Sequence, residues 1–457
     1  MSHLSIPLVF GAFLLGACTV SCAPAVDSTG ASTATPASDP RSTTLAADDG
    51  AIAPDSASII PTQPLPPSPI RITVEDLPRP FATQSASKPP TVIPVPANPV
   101  LNVPDGFTVN VFADGLDRPR WLALTPSGDV LVVESRNNRI LHLKDTTKDG
   151  AADERITFAT AENGLNLPFG MAFAPGYFFV GNTDAVMRFP YDKGQDQLTG
   201  TGEAIAPLPG QGYNQHWTRN VIVSPERQKL FVSVGSETNV DEEPLPRASV
   251  LSMNWDGSDT QVFASGLRNP VGLAIHPQTG DLYTTVNERD GIGDDLVPDF
   301  FTRLQPGAFY GWPYTYLKPD LLDPRQMQGD QSRNPTLAAQ TQTPDVLFQA
   351  HSAALGLQFY DGSTFPERYQ NGAFVAMRGS WNRNEGTGYK LVFIPFNDAN
   401  EPDGYYEDFL TGFLVDPRGP TTWGRPVGLL VMPDGSLLFT EEMNGRIYRV
   451  QYTGTDS

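Results

Sequence analysis

The sequence of residues 212–235 reads GYNQHWTRNVIVSPERQKLFVSVG. Two apolar runs, at residues 221–223 and 230–234, flank a polar turn, and this pattern predicts a β-hairpin. His216 lies a few residues before the first run. A neutral imidazole can accept a proton near neutral pH, although a lone histidine is more often a structural hydrogen-bonding group.

The same arrangement of an apolar run, a turn rich in Pro, Gly or Asp, and a second apolar run recurs along the chain. The copies span residues 121–134, 169–181, 220–235, 271–286, 355–377 and 427–440. Repeated strand pairs without long helical periodicity are typical of four-stranded propeller blades. Radial closure also hides the edges that so many strands would otherwise expose. The sequence therefore predicts an all-β fold, a six-bladed β-propeller.

The N-terminal part of the chain has a different composition. Residues 4–17 are mostly apolar, and residues 15–18 (LGAC) resemble a lipobox, so residues 1–22 are predicted to be a signal peptide. We expect an exported, periplasmic or outer-envelope protein with a lipid on Cys18; ordinary secretion is the alternative, since no Lys or Arg lies near residue 2. Residues 23–100 are rich in Pro, Ala, Ser and Thr, which predicts a disordered linker before a propeller domain at 101–457.

Charge and cysteine content exclude several classes of function. The formal net charge of −20 argues against nucleic acid as a ligand, because binding a phosphate backbone requires clustered Lys and Arg. Both cysteines, Cys18 and Cys22, precede the predicted propeller. Disulfides, thiolate catalysis and cysteine-ligated clusters are therefore excluded from the folded domain.

Polar residues precede the predicted repeats, and in a propeller these positions meet around the central axis. They include Asn166, Gln215, His216, Arg268, Asn269, His351 and Arg425. Arginine offers a rigid, permanently charged fork for carboxylates, so such a group could bind an anionic or polyhydroxylated ligand. Each residue could also serve only its local turn, with Arg capping carbonyls and Asn fixing the start of a strand.

A long interruption, residues 287–350, separates the fourth and fifth repeats. It begins with NERDGIGDDL, which gathers Glu288, Asp290, Asp294 and Asp295 in one short loop. Calcium takes several oxygen ligands, and Gly permits the tight backbone that turns carbonyls toward an ion. The loop is therefore a candidate calcium site, with a solvated acidic loop as the alternative.

Five motifs resemble the glucose/sorbosone dehydrogenase family. They are QHWTRN at 215–220, GLRNPVGL at 266–273, NERDGIGDDL at 287–296, YGWP at 310–313 and RGSWNR at 378–383. The resemblance implies a six-bladed quinoprotein that binds pyrroloquinoline quinone (PQQ) and calcium. It also implies oxidation of a small-molecule sugar and a separate electron acceptor. The motifs look closer to the sorbosone dehydrogenase branch.

The resemblance also implies roles for individual residues. His216 is the expected general base for the C1 hydroxyl of the substrate, and Arg268 is expected to stabilise negative charge developing on the quinone. The expected cofactor-binding residues are Asn269, Arg425, Arg378, Gln215 and Asn166. The expected calcium ligands are main-chain oxygens around Asp290 and Gly291, with Asp295 and Tyr310 nearer a second ion.

Two positions depart from the glucose-oxidising members of that family. Gln215 stands where those members carry an acidic residue, and the region of Met377 and Arg378 replaces a lysine that contacts the quinone. The expected substrate is therefore an aldose or a related sugar aldehyde, and glucose itself is not assumed. A calcium-dependent propeller lactonase and a non-catalytic envelope binding propeller are the alternatives.

Overall fold

Antiparallel strands make up almost all of the regular structure. The computed structural model describes residues 58–210 and 216–454. Within these residues, six sheets contain four or five strands each. The all-β prediction is therefore confirmed.

Five of these sheets follow one another along the chain. The first contains Leu122–Leu124, Val130–Glu134, Arg139–Lys144 and Glu154–Ala159, and the second Met171–Ala174, Tyr177–Gly181, Ala185–Pro190 and Glu203–Pro207. The third contains Val221–Ser224, Lys229–Val234, Ser249–Asn254 and Gln261–Ser265, and the fourth Pro270–Ile275, Leu282–Val286, Phe300–Arg303 and Val346–Leu347. The fifth contains Ala354–Phe359, Ala373–Met377, Lys390–Ile394, Tyr406–Leu410 and the outer strand Pro69–Ile70.

The sixth sheet joins strands from the two ends of the described chain. Its members are Pro426–Val431, Leu437–Glu441, Arg446–Tyr452, Phe107–Ala113 and the outer strand Ile59–Ile60. Strand Phe107–Ala113 pairs antiparallel with Arg446–Tyr452. This pairing joins a strand from the N-terminal part of the described chain to one from its C-terminal end. Each of the two strands thereby gains a neighbour on a side that would otherwise be an exposed edge.

Each predicted repeat supplies the first two strands of one sheet, as expected from the sequence. The residues at the starts of five repeats, Trp121, Phe169, Val271, Leu355 and Val427, are buried in one hydrophobic cluster. The first strands of these sheets therefore converge, an arrangement consistent with a β-propeller.

The remaining elements are short. The interruption at 287–350 contributes two strands to the fourth sheet and also contains a hairpin and two helical turns. Small ladders pair Thr62–Pro64 with Leu101–Val103, Met327–Gln328 with Gln331–Ser332, and Thr421–Thr422 with Leu414–Asp416 and Thr91–Val92. Helical turns are Pro335–Ala338 and the 3-10 turns Val74–Asp76, Ser135–Asn137, Ala161–Asn163, Pro324–Gln326 and Glu367–Tyr369. No helix in the described ranges is long and apolar enough to cross a membrane.

Residues 58–100, which we call the N-terminal strap, are ordered against the sheets. Strands Ile59–Ile60, Pro69–Ile70 and Thr91–Val92 each pair with an edge of the main structure. The predicted disordered linker is therefore wrong for this part; residues 23–57, like the predicted signal peptide, lie outside the described residues. A Pro-rich segment can join a sheet only at its edge, because Pro has no N–H to donate to a second neighbour, and here the sheet edges supply its partners.

Candidate active site

One cavity of ≈ 830 Å³ gathers most of the predicted site residues in its wall. Those in the wall are His216, Arg268, Asn269, Asp290, Arg378 and Arg425, together with His351. Arg268 and Asn269 precede the first strand of the fourth sheet, and Arg425 precedes that of the sixth. The start of each first strand lies opposite the end of the second, as in the pair Pro270 and Val286. The cavity is thus built from both of these strand ends.

His216 is held in one tautomer by Ser236. The Nδ1 atom of His216 lies 2.9 Å from the carbonyl oxygen of Ser236 and 3.0 Å from its Oγ. Oγ itself donates to the carbonyl of Thr238 at 2.6 Å. Because a carbonyl oxygen can only accept, Nδ1 carries the hydrogen and Nε2 keeps a lone pair. Burial and the positive charge of Arg268 lower the pKa of His216 well below its ordinary value, so the ring is neutral at pH 7.

Ser236 also joins His216 to Arg268, the second predicted catalytic residue. Its N–H donates to the carbonyl of Arg268 at 2.8 Å. The preceding residue, Gly235, packs so tightly that a Cβ there would lie 2.6 Å from Asn269 Oδ1 and 2.6 Å from His216 Cβ. The backbone after the second strand of the third sheet therefore sets the spacing between these three side chains.

Arg268 is buried, and its guanidinium contacts Asn239 and the loop that follows Val286. Its guanidinium donates to the carbonyl of Glu288 at 2.8 Å and to Asn239 Oδ1 at 3.0 Å, and it pairs with Asp290 at 3.1 Å. Burial opposes ionisation of Asp290, but the charge of Arg268 and the neighbouring His351 lower the pKa of that carboxyl. Asp290 is thus a carboxylate, and Arg268 is its counter-ion.

His351 lies on the other side of Asp290. Its Nδ1 is 3.4 Å from Asp290 Oδ1. Burial would lower the pKa of His351, but the hydrogen bond and charge of Asp290 raise it. The nearby Asp299 accepts from the N–H groups of Glu288 at 2.8 Å and Ala353 at 2.7 Å. These hydrogen bonds and the charge of His351 lower the pKa of Asp299, but burial outweighs them. Burial raises the pKa of Asp299 to about 7.

A cluster of guanidinium groups forms another part of the cavity wall. Glu442 pairs with Arg120 and Arg378. Burial opposes ionisation of Glu442, but the three neighbouring cations, Arg378, Arg120 and Arg425, lower its pKa to about 2. The Arg425 guanidinium donates to the carbonyls of Arg378 at 3.1 Å and Gly379 at 2.7 Å, and none of its described hydrogen bonds goes to a carboxylate. Positive charge therefore exceeds negative charge here, which favours an anionic ligand.

The predicted calcium ligands do not converge in the structure. The carboxylate of Asp290 pairs with Arg268, and its carbonyl accepts from Arg325 at 2.6 Å. Asp295 pairs with Arg383, and the hydroxyl of Tyr310 is turned into the core, where it donates to the carbonyl of Arg303. Gly291 does not line the cavity. Across the described ranges, no three His, Cys, Asp or Glu side chains are grouped to hold a metal ion. Arginine side chains therefore face the oxygens of Asp290 and Asp295 in this structure, and the calcium site stays a prediction.

Two predicted cofactor-binding residues are not part of the described cavity wall. Asn166 donates through Nδ2 to Asp184 at 2.8 Å, so its amide serves the turn between two strands of the second sheet. The alternative interpretation, turn chemistry, holds for this residue. Gln215 lies outside the described residues.

Sequence reasoning missed several residues that shape the site. They are Ser236, Asn239, Asn382, Asp299 and Glu442. Ser236 and Glu442 follow the second strand of their repeats, as the predicted residues Asp290 and Arg378 do. The repeat pattern could have indicated these positions, because antiparallel pairing places the end of the second strand beside the start of the first strand.

Comparison with known proteins identifies a family and a shared fold. A family model described as TrAA12-like matches residues 101–298 and 325–453. An uncharacterized protein of Borreliella burgdorferi is 28% identical over 364 residues, which covers 77% of this chain and 91% of that protein.

A second relative and its structure extend the comparison. The pyrroloquinoline quinone-dependent pyranose dehydrogenase of Coprinopsis cinerea is 25% identical over 409 residues, covering 77% of this chain and 54% of that protein. This chain therefore spans about half the length of that relative. The holo form of the PQQ domain of the Coprinopsis enzyme superposes with a TM-score of 0.64 at 22% identity, covering 78% of this chain and 98% of the domain. The two share a fold.

Proposed function

The chain belongs to the TrAA12-like family, and on that premise we propose that it is a sugar dehydrogenase that uses PQQ. The name of the Coprinopsis relative supports both the cofactor and the class of substrate. We propose an aldose or a related sugar aldehyde as substrate, oxidised at C1, and a separate electron acceptor. The assignment to the sorbosone branch stays a prediction.

The observation that carries the proposal is a neutral, oriented imidazole in a cavity walled by arginine. PQQ is a planar quinone with carboxylates, and carboxylates pair well with guanidinium groups. Arg378 and Arg425 would hold them, and the buried Oδ1 of Asn269 has no hydrogen-bond partner among the described residues. These residues fit the cofactor. When bound, PQQ supplies the electron sink that accepts the hydride from the sugar.

His216 would remove the proton from the C1 hydroxyl. Its Nε2 lone pair is available because Ser236 accepts the hydrogen on Nδ1. Arg268 supports this role in two ways that the geometry supplies. Its charge disfavours protonation of His216, and its contacts with Glu288 and Asp290 hold the adjoining loop in place.

Calcium has no step in the proposed chemistry. Of the oxygens predicted to bind it, those of Asp290 and Asp295 face Arg268, Arg325 and Arg383. The same contacts give no support to the lactonase alternative, which would need this acidic loop as its metal site.

We also propose that the six sheets are the six blades of one propeller. The six strand pairs at matching places in the repeats support this proposal.

We further propose that the N-terminus directs export, with lipid on Cys18. The lipobox-like sequence supports this proposal. Cys18 lies outside the described residues. Expression of the parent and a Cys18→Ala variant, followed by detergent-phase partitioning, tests the anchor; equal partitioning of both proteins would rule it out.

Titration of the full-length protein with PQQ tests the proposed function. We expect saturable binding, followed by loss of the oxidised quinone absorbance when an aldose is added. His216→Ala should bind PQQ but fail to bleach it, because the base is lost while the arginine wall remains. Failure of the parent to bind PQQ would remove the cofactor from the proposal. Undiminished turnover in His216→Ala would remove the base.

A further inference from the structure

Trp381 is an exposed aromatic side chain in the wall of the cavity. Five large apolar side chains are exposed among the described residues: Ile59, Phe81, Leu245, Trp381 and Val415. Of these, Trp381 alone lines the cavity, and 47% of it is accessible to solvent. An exposed indole does not gain the free energy of burial. Its position in the cavity wall therefore favours a role in ligand binding.

The backbone that carries Trp381 is fixed on both sides. The carbonyl of Trp381 accepts from the N–H of Lys88, in the N-terminal strap, at 2.7 Å. The Lys88 ammonium donates to the carbonyl of Asn384 at 2.9 Å. Arg383 donates to the carbonyl of Asp294 at 2.8 Å, and Asn382 contacts the Asp290 carboxylate. The loop is therefore anchored while the indole itself stays open, as a preorganised binding surface requires.

Trp217 provides a comparison within the same cavity. Its ring packs on Phe169 at 6.0 Å between centroids and lies under the Arg120 guanidinium at 5.6 Å. No ring stacking or cation–π contact of Trp381 is present among the described residues. Trp217 is thus part of the packed wall, whereas Trp381 is 47% exposed and no described aromatic ring or cation packs on it.

Burial separates Trp381 from the residues proposed to hold the cofactor. Among the residues proposed to hold the cofactor, Asn269 and Arg425 are 8% and 6% exposed and the Arg378 side chain is 29% exposed, whereas Trp381 is 47% exposed and lies nearer the solvent. A pyranose ring has an apolar face of C–H groups, which packs well on an aromatic ring, and its hydroxyls suit the polar wall. We propose that Trp381 is the platform on which the pyranose ring of the substrate stacks. This inference rests on the proposed function, because it names a subsite of that reaction.

Steady-state kinetics on the full-length, PQQ-reconstituted protein test the platform. Trp381→Ala should raise KM for a pyranose about tenfold, with kcat and the Kd for PQQ unchanged, because stacking holds the ground state and the transition state alike. Trp381→Phe should recover most of the loss. The matched control is Phe81→Ala, which removes an aromatic ring that is 59% exposed but outside the cavity wall.

A second measurement does not depend on turnover. A methyl pyranoside has no free C1 hydroxyl to oxidise, and its binding can be followed by saturation-transfer NMR. Saturation should reach the ring C–H protons in the parent and in Phe81→Ala and be lost in Trp381→Ala.

The outcomes separate the two proposals. An unchanged KM and unchanged methyl pyranoside binding in Trp381→Ala would overturn the platform while leaving the proposed function intact. A weaker PQQ Kd in that variant would also overturn it, by assigning the indole to the cofactor. If the parent neither binds PQQ nor oxidises sugars, the proposed function fails, and methyl pyranoside binding still decides the role of Trp381.

Discussion

Replacing Gly235 by Ala perturbs the site without removing any of its functional groups. The new Cβ would lie 2.6 Å from both His216 Cβ and Asn269 Oδ1, whereas ordinary contacts begin at 3.4 Å. The backbone there does not need glycine for its φ angle, so the effect is steric. His216 or Asn269 must retreat by roughly 1 Å, and a displacement of that size at a reacting group costs about 100-fold in rate. The overpacking should also lower the free energy of unfolding by about 1–3 kcal/mol.

The assay is dye-coupled sugar oxidation by full-length, PQQ-reconstituted protein, measured well below the Tm of each variant. The matched control is Gly419→Ala, because a Cβ at Gly419 meets nothing within 4 Å. We expect kcat to fall about 100-fold in Gly235→Ala and to stay at the parental value in Gly419→Ala. A Gly235→Ala protein with parental kcat and PQQ affinity would refute the idea that this backbone sets the position of His216.

Three further predictions concern buried titratable groups. The pKa of His216 lies well below 6.5, so kcat/KM should stay flat down to pH 6.5 and fall only below it; an inflection above pH 6.5 would place the base elsewhere. Asp299 has its pKa raised from 3.8 to about 7, so its protonated form favours the fold and stability should fall as pH rises through this window. Urea unfolding of Asp299→Asn should show a smaller loss between pH 4 and pH 8, by on the order of 3 kcal/mol; parallel curves would contradict this. Glu442→Gln leaves Arg120 and Arg378 without their carboxylate and should cost about 3 kcal/mol of stability, partly restored by PQQ in a thermal scan; an unchanged Tm would refute the pairing.

The repeat was predictable because its signal is local. Each strand pair, such as Val221–Ser224 with Lys229–Val234, carries its own apolar runs and turn, and the same pattern appears six times. Convergence of His216, Arg268 and Arg425 on one cavity then follows from where they stand in the repeat. Local pattern and periodic spacing together were enough to bring these residues to one place.

The N-terminal strap could not be predicted from composition. Its Pro-rich sequence lacks the apolar content to fold alone, and that argument is sound for a free segment. The strap instead forms backbone hydrogen bonds with sheet edges. For example, Thr91–Val92 pairs in parallel with Thr421–Thr422. Its polar atoms do the same, since Ser85 Oγ and Thr83 Oγ1 accept from the N–H groups of Gly293 and Asp294. These contacts join residues about 200 positions apart or more. The composition of a short stretch of sequence cannot predict such long-range contacts.

The calcium site stays a prediction for a related reason, because a cluster of acids in sequence does not reveal which cations the fold brings to it. Asp290 and Asp295 are close neighbours in the chain, yet Arg268 reaches one and Arg383 the other. The same point applies to the net charge of −20, which describes the surface seen from afar. Within a cavity of low dielectric the nearest charges decide, and Glu442 is outnumbered there by three guanidinium groups. An acidic protein can therefore bind an anion, provided that the carboxylates in the site are paired and that some of its arginines have no carboxylate partner.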